Sequence, residues 1–223
     1  MERCSVTLLF LSLTSFLTVL PAQGEWYVIG QTGVVLPGSL SNVTLSSPTL
    51  AGGVNQARVA DIDLEKGSPL YGAKVGYFFP KREWFGLETE AFTTQLNIKQ
   101  QTVVGGVPGK VFADTLPGSH VQLTTWALNA IVRSPSLVAE LEPYGAIGPA
   151  LFFTTDGATH ASLGINLIAG ARYFVTPRTA LFGEFKYDRA TIYSENIKGD
   201  YSSQIFIFGI SVHFDRPVGS PKP

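Results

Sequence analysis

Cysteine is nearly absent from this chain, in which Cys4 is the one example among 223 residues. A single cysteine excludes an internal disulfide and a multi-cysteine metal site. Histidine is also rare, and His120, His160 and His213 lie on separate predicted elements without an HExxH motif. Protein metal centres usually need several such ligands at short spacing. The sequence therefore predicts no metal site and no cofactor.

Charge is scarce too, since 15% of the residues are charged and the formal net charge is −1. Such a balance provides no basic surface for nucleic acid. After residue 24 no apolar run approaches the roughly 20 residues that a membrane helix needs. Glycine is plentiful, with 23 residues, and aromatic residues make up 12%. This composition suits the strands of a membrane barrel or of a soluble β-sandwich.

The first 24 residues have the order of a secretory signal peptide. Arg3 precedes an apolar run over 6–20, and Ala22 and Gly24 are small residues at the −3 and −1 positions of a cleavage site. An uncleaved anchor helix is the alternative, but the run is short and a strand pattern follows it at once. We predict a signal peptide over 1–24 with cleavage after Gly24.

A predicted hairpin over 71–92 raises the central question about the fold. Its first half alternates apolar and small residues, and its second half places Phe85 and Leu87 opposite Glu88 and Glu90. An alternation of period two predicts strands. A soluble barrel would turn its charged face to water. A membrane barrel would turn its apolar face to lipid and its polar face inward.

The same alternation predicts eight strands in the mature chain. They are residues 26–35, 71–79, 84–92, 120–133, 140–153, 163–175, 180–190 and 204–214. The links after the second, fourth and sixth strands are short and contain proline, whereas the other links are longer. Outer-membrane barrels combine short periplasmic turns with longer outer loops. We therefore predict an all-β fold, a single antiparallel up-and-down transmembrane β-barrel of eight strands.

This barrel is predicted to cover residues 25–214, followed by a short proline-rich tail over 215–223. The predicted outer loops are 36–67, 98–119, 155–162 and 191–202. Pro149 lies within the fifth strand, where it cannot donate a ladder hydrogen bond, so we expect a bulge or a missing bond there.

Strand parity turns seven charged residues toward the lumen. They are Lys74, Glu88, Glu90, Arg133, Arg172, Glu184 and Lys186. A Lys or Arg facing lipid at the bilayer midplane would cost about 2–4 kcal/mol. The interior of an eight-stranded barrel is just wide enough for side chains to fill. We predict a buried ion-pair core, with a narrow pore lined by the same charges as the alternative. Glu88 and Glu90 are spaced like catalytic carboxylates, but no cleft for a substrate is evident.

Several short motifs, in their order and spacing, resemble the transmembrane domain of the outer membrane protein A family. They are Trp26-Tyr27, residues 84–88, residues 143–148, residues 170–173 and the terminal aromatic Phe214. The resemblance implies that the barrel assembly machinery reads Phe214. It also implies a lumenal network of acidic and basic side chains, in which Glu88 occupies the position of a glutamate of the family. Arg172 replaces an acid of some relatives, and Gln31 replaces a lysine. We expect no peptidoglycan-binding function, because the chain has no such domain.

An enzymatic function is not favoured. Some small outer-membrane barrels are lipid A deacylases with an outward Ser/His pair near the outer leaflet. Ser211 and His213 are close in sequence, but parity turns both inward at the periplasmic end. Residues 105–110 superficially resemble a phosphate loop, but Val104 and Val111 replace residues that such a loop requires. We predict no enzyme and no catalytic residue.

These observations predict an integral outer-membrane protein of a Gram-negative bacterium with a structural or surface-presenting role and a charge-plugged lumen. A small channel for ions or hydrophobic solutes is the second hypothesis, and a lipid-modifying enzyme is the third. A soluble periplasmic eight-stranded binding barrel is the rival fold. The expected partners are outer-membrane lipid, the barrel assembly machinery and an unknown ligand of the outer loops, with no nucleic acid. We expect a monomer.

Overall fold

The computed structural model describes seven ranges, which are residues 24–46, 56–59, 61–107, 110–134, 140–155, 158–194 and 197–214. The strands are β1 Glu25–Pro37, β2 Ser41–Ser46, β3 Gln56–Val59, β4 Ser68–Phe79, β5 Arg82–Ile98, β6 Gln101–Val107, β7 Lys110–Leu116, β8 Ser119–Arg133, β9 Leu141–Thr155, β10 Thr159–Phe174, β11 Thr179–Ser194 and β12 Ile197–Phe214. Across these ranges there is no helix long and apolar enough to cross a membrane. Most of the predicted signal peptide, residues 1–23, and the predicted tail, residues 215–223, lie outside them.

Eight of the strands close into a barrel. Their order is β1-β4-β5-β8-β9-β10-β11-β12, and β12 pairs back onto β1. The closing antiparallel ladder runs from Trp26–Phe214 to Pro37–Ser203. Closure pairs the backbone groups of the first and last strands, so no sheet edge is left to face lipid. The predicted eight-stranded antiparallel up-and-down barrel is confirmed. We call the end that holds Glu25 and Phe214 the terminal end.

The outer surface of the barrel is apolar, whereas its inner wall combines buried charged residues with apolar side chains. Leu167, Phe208 and Ile210 point outward and are each about half exposed, whereas their strand neighbours point into the lumen and are largely buried. This is the alternation of a barrel in lipid, with an apolar outer band around a polar interior. The β8–β9 ladder lacks the pairs of Leu128 with Pro149 and of Asn129 with Gly148. The missing bond predicted at Pro149 is therefore confirmed, without a bulge.

The predicted outer loops were wrong in part. Segment 36–67 contains β2 and β3, and segment 98–119 contains the β6–β7 hairpin. Segment 191–202 is no loop either, because β11 and β12 stay paired as far as Ser194–Ile197. In segment 155–162, β9 ends at Thr155 and β10 already begins at Thr159. The prediction ended strands where polar residues and glycine accumulate. Beyond the membrane both faces of a strand can be polar, so polarity does not mark its end there.

The four extra strands extend the barrel sheet at the end opposite the termini. Their order is β12-β2-β3-β6-β7, with β2 paired to β12 through Lys198–Thr44 and Ile197–Leu45. Two isolated bridges, Leu40–Ile62 and Leu64–Ile98, tie the same segments to one another and to β5. We call β2, β3, β6 and β7 with their connecting residues the cap. The end of the barrel that carries it is the cap end.

Candidate functional site: the lumen and its cap

Lys74 is the centre of the ionic network in the lumen. Its side chain projects from β4 and is fully buried, with Nζ 2.7 Å from Glu184 Oε1, 3.2 Å from Glu90 Oε2 and 3.4 Å from Glu88 Oε1. Glu88 and Glu90 lie on the adjacent strand β5, whereas Glu184 comes from β11. One ammonium group therefore joins strands that are not neighbours in the sheet. The contact therefore crosses the interior of the barrel.

Arg172 forms a second centre toward the terminal end. Its guanidinium lies 3.7 Å from Glu88 Oε2 and 3.3 Å from Glu142 Oε1. The same group lies over the rings of Tyr27 and Tyr144, at 4.4 Å and 4.5 Å from their centroids. Aromatic faces attract a desolvated cation. Arg172 is therefore held by charge on one side and by ring faces on the other.

Two glycines make room for these tyrosines. Gly76 stands opposite Tyr27, where an added Cβ would lie 2.1 Å from the ring, and Gly170 stands opposite Tyr144 with a corresponding distance of 2.7 Å. Each ring can therefore fold across its neighbouring strand. The hydroxyl of Tyr27 donates to Glu88 Oε2 at 2.8 Å, and the hydroxyl of Tyr144 donates to Glu184 Oε2 at 2.8 Å. The tyrosines thus fix the carboxylates that pair with Lys74.

Lys186 lies at the cap side of the network. Its ammonium forms an ion pair with Glu90 and lies 4.5 Å from the centroid of the Phe92 ring. Asn166 Nδ2 donates to the same oxygen of Glu90 at 3.2 Å. The carboxylate of Glu90 therefore contacts Lys74, Lys186 and Asn166, which come from three different strands.

Arg133 closes the network at the terminal end. Its guanidinium lies 2.6 Å from Glu25 Oε2 and 3.3 Å from Glu142 Oε2, and its Nε donates to the backbone oxygen of Glu83 at 2.7 Å. The ring centroid of Phe78 lies 3.7 Å from this guanidinium. All seven lumenal charges named from the sequence thus lie on the inner wall and contact other members of one connected set.

Several other polar side chains of the lumen were not assigned to the network from the sequence. They are Glu25, Tyr27, Glu142, Tyr144, Asn166, Asp188 and His213, all of them buried. Strand parity places Glu142 and Asp188 inward and could have identified them. Glu25 adjoins the predicted cleavage site at Gly24, so it was not counted as part of a strand. Gln31 is also buried, and neither polar atom of its amide has a hydrogen-bond partner among the residues that the structure describes.

Ser211, His213 and Glu25 stand in the order of an acyl-transfer triad. His213 Nε2 lies 3.1 Å from Ser211 Oγ, and His213 Nδ1 lies 2.6 Å from Glu25 Oε1. A nucleophile must reach its substrate as well as its base. Ser211 has 0% exposure, and its hydroxyl also contacts the backbone oxygen of Ala180 at 3.5 Å. The arrangement is a hydrogen-bonded chain beside the seam between β1 and β12, and it leaves no room for an acyl group.

The cap end of the barrel is filled by apolar side chains, which we call the cap cluster. Its members are Leu40, Val43, Leu45, Ala57, Val59, Ile62, Leu64, Leu96, Ile98, Val103, Val121, Leu123, Ala127, Ala150, Phe152, Ala190, Ile192 and Tyr201. The first seven come from segment 40–64, and the other eleven, except Val103 of β6, come from barrel strands. A cavity of about 20 Å³ remains beside Leu64, Ile98 and Ile192. A cavity of this size has room for about one water molecule.

Aromatic residues gather around the outside of the terminal end. Trp26 packs on Tyr77 with ring centroids 4.8 Å apart, and Phe79 stacks on Phe85 at 5.7 Å. Aromatic rings favour the interface between lipid and water. Phe214 ends β12 in this ring, points outward and is 47% exposed. Its role as an assembly signal stays a prediction.

The comparisons with known proteins agree with this architecture. The sequence profile of the family described as "Outer membrane protein beta-barrel domain" matches residues 9–214. The outer membrane protein OprG from Pseudomonas aeruginosa is similar in structure, with a TM-score of 0.52 and 14% identity over 86% of this chain and 96% of that one. Neisserial surface protein A, NspA, gives a TM-score of 0.50 and 17% identity over 85% and 97%. At such identities the likeness concerns the fold alone. No curated protein matches the sequence.

Proposed function

This chain belongs to the outer membrane protein β-barrel domain family, and we propose that it acts as a closed, non-enzymatic barrel that presents a folded sheet outside the membrane. The observation that carries the proposal is the position of Lys74. Its ammonium lies within 3.4 Å of Glu88, Glu90 and Glu184, which come from two separate parts of the wall. An ion that crossed the lumen would have to break these contacts in a water-poor interior, where separating a pair costs several kcal/mol.

The cap supports the same proposal from the other end. Leu123 and Phe152 of the barrel wall pack against residues of the cap in one apolar cluster. An ion has no favourable contact in such surroundings. A solute would therefore meet an apolar barrier and an ionic barrier in series.

The sheet extension lies at the end of the barrel opposite the termini. Strands β2, β3, β6 and β7 continue the barrel sheet beyond β12, and Val104 and Val111 are exposed on it. An extended sheet offers a rigid surface for recognition, whereas separate loops would be mobile. The proposed surface-presenting role therefore includes binding of an unknown ligand to this surface.

The proposed location is the outer membrane of a Gram-negative bacterium, with the terminal end toward the periplasm and the cap outside. The signal peptide over 1–24, with cleavage after Gly24, would direct export. Phe214 would serve the barrel assembly machinery, and the apolar belt would contact outer-membrane lipid. A monomer suffices for this role, because the closed sheet buries its own ladder groups.

Single-channel recording in a planar bilayer tests the closed lumen. Refolded protein should give no discrete steps, with insertion confirmed by heat-shifted migration on a detergent gel. A variant that combines Glu88→Ala and Glu90→Ala with Leu123→Ala weakens the ionic barrier and the apolar barrier together and should begin to conduct if it inserts. Glu140→Ala, which alters an exposed acid at the terminal end, is the matched control and should stay silent. Steps from the unaltered protein would contradict the proposal.

A second candidate function is binding of a hydrophobic solute at the cap end. The observation that favours it is the apolar cavity beside Leu40, Leu64 and Ile197. At about 20 Å³ the cavity admits a solute only if the cap moves. An environment-sensitive apolar dye should then bind the refolded protein, and Ile192→Glu should abolish binding while Val111→Glu, an exposed cap position, should not. Equal dye signals from both variants would exclude this function.

A further inference from the structure

A row of polar side chains lies between the ionic network and the cap cluster. Asn166 on β10 pairs in register with Asp188 on β11, and Asp188 pairs with Ser203 on β12. All three face the lumen, with exposures of 0%, 1% and 2%. Side chains directly opposite each other on adjacent strands have Cβ atoms about 4.5–5.5 Å apart. The oxygens of three neighbouring side chains are therefore brought to one spot on the inner wall.

Two of the donors beside this row are committed to Glu90. Asn166 Nδ2 donates to Glu90 Oε1 at 3.2 Å, which turns its Oδ1 away from Glu90. The ammonium of Lys186 forms its ion pair with Glu90 as well. Asn166 Oδ1 and Asp188 Oδ1 are both buried, and within the described ranges neither has a hydrogen-bond partner. Two neighbouring acceptors without a donor are unfavourable in a protein interior, so a positive or proton-donating group belongs between them.

The balance of buried charges in the lumen also favours a positive group at this position. Among the described residues its buried acids are Glu25, Glu88, Glu90, Glu142, Glu184 and Asp188, and its buried Lys and Arg residues are Lys74, Arg133, Arg172 and Lys186. The six carboxylates exceed the four cations, and they still exceed them by one when His213 is protonated. Asp188 has no ion pair among the described residues, although the other five acids have one. An uncompensated buried carboxylate is costly.

We propose that Asn166, Asp188 and Ser203 form a binding site for a monovalent cation of the sodium type. Carboxylate, amide and hydroxyl oxygens are hard donors, which suit hard cations. A single carboxylate matches a single charge. The ammonium of Lys186, on the same strand as Asp188, opposes a second positive charge at this spot. The ion compensates Asp188 and joins β10, β11 and β12 directly beneath Ala190 and Tyr201 of the cap cluster.

The position of the site determines how it has to be tested. The cap cluster covers it on one side and the ionic network covers it on the other, so an ion enters most readily while the barrel folds. The experiment therefore refolds the full chain from urea into detergent micelles in sodium chloride, potassium chloride or N-methylglucamine chloride at equal ionic strength. The measured quantity is the midpoint of urea unfolding, followed by tryptophan fluorescence.

The midpoint should be higher in sodium than in N-methylglucamine. Once the site is nearly saturated, each tenfold increase in free sodium should add about 1.4 kcal/mol to the free energy of unfolding. Asp188→Asn removes the charge and should make the midpoint independent of the cation. Asp200→Asn alters an acid on the same strand pair, β11–β12, whose carboxylate bonds Asn42 and Thr191. This control should keep the full sodium dependence.

Equal midpoints of the unaltered protein in all three salts would overturn the proposal, because a proton on Asp188 or a trapped water would then fill the gap. Sodium dependence that persists in Asp188→Asn would overturn it as well. Crystals of unaltered protein refolded in rubidium chloride give an independent result if the variant fails to fold. An anomalous peak between Asn166 and Asp188 would support the site, and its absence at full rubidium substitution would reject it.

Discussion

The ionic network and the cap cluster fill two halves of the same barrel with different chemistry, although apolar residues such as Ile131 and Phe182 also line the half that holds the network. The network around Lys74 and Arg172 is directional, since each charge has partners at 2.7–3.7 Å. The cap cluster around Leu123 and Phe152 is apolar, and its contacts need volume and shape but no particular direction. Ion pairs in a dry interior depend on every partner being present, whereas an apolar cluster tolerates changes that keep its volume. The two halves should therefore respond differently to single substitutions.

The largest effect is expected from Glu88→Ala. Glu88 contacts Lys74, Arg172 and the hydroxyl of Tyr27 at once. Removing one partner of a buried ion pair costs about 3–5 kcal/mol, because charge is left uncompensated. Urea unfolding in micelles should show this loss, with a smaller loss for Glu88→Gln, which keeps the acceptor for Tyr27. Glu140→Ala serves as the exposed control. A loss of stability for Glu88→Ala that is smaller than the loss for Glu88→Gln would contradict the network.

Leu123→Ala tests the apolar half. Leu123 is 1% exposed and belongs to the cap cluster. Truncation of a buried leucine costs about 2–5 kcal/mol, depending on how well the site collapses. The same measurement should show a loss for Leu123→Ala, a much smaller one for Leu123→Met, and none for Val111→Ala on the exposed side of the cap. Because the ionic network stays intact, bilayer recordings of Leu123→Ala should remain silent. Conductance of this variant would show that the cap alone closes the lumen.

The two halves also differ in how far the sequence predicts them. Parity along strands predicts that Lys74 and Glu184 point inward, because successive side chains of a strand alternate between its two faces over the whole length of the strand. The pairing of Lys74 with Glu184 could not be predicted. It depends on the stagger of strands that are far apart in the chain, and no local pattern encodes that stagger.

The cap was missed for a different reason. Its strands come from two segments, 38–67 and 99–118, and they pair with each other and with β12 only in the folded barrel. Val43, Leu45 and Ile62 are buried there, but they are scattered among Ser, Asn and Gly residues that favour loops. Short strands with both polar and apolar neighbours give a weak periodic signal. Tertiary pairing, which sequence patterns do not report, decides their structure.

Arg172→Lys separates charge from geometry within the ionic half. Lysine keeps the positive charge but loses the planar fork that reaches Glu88 and Glu142, and it stacks less well on Tyr27 and Tyr144. Cation–aromatic contacts in a desolvated site are worth about 2 kcal/mol or more. Urea unfolding should therefore show a clear loss for Arg172→Lys, although the charge count is unchanged. Lys81→Arg, at an exposed turn, is the control, and equal stabilities of Arg172→Lys and the unaltered protein would mean that charge alone holds this half.

The smallest effect is expected from Ser211→Ala at the terminal end. The hydroxyl of Ser211 contacts His213 Nε2 at 3.1 Å and, more weakly, the backbone oxygen of Ala180 at 3.5 Å. Its loss removes one good hydrogen bond, worth about 0.5–1.5 kcal/mol, together with this weaker contact. A catalytic serine would also react with a fluorophosphonate probe. We expect no labelling of the folded protein in micelles, since Ser211 is fully buried. Labelling that disappears in Ser211→Ala but persists in Ser119→Ala would show an open triad. The chain of Glu25, His213 and Ser211 would then be an active site and not a contact within the barrel wall.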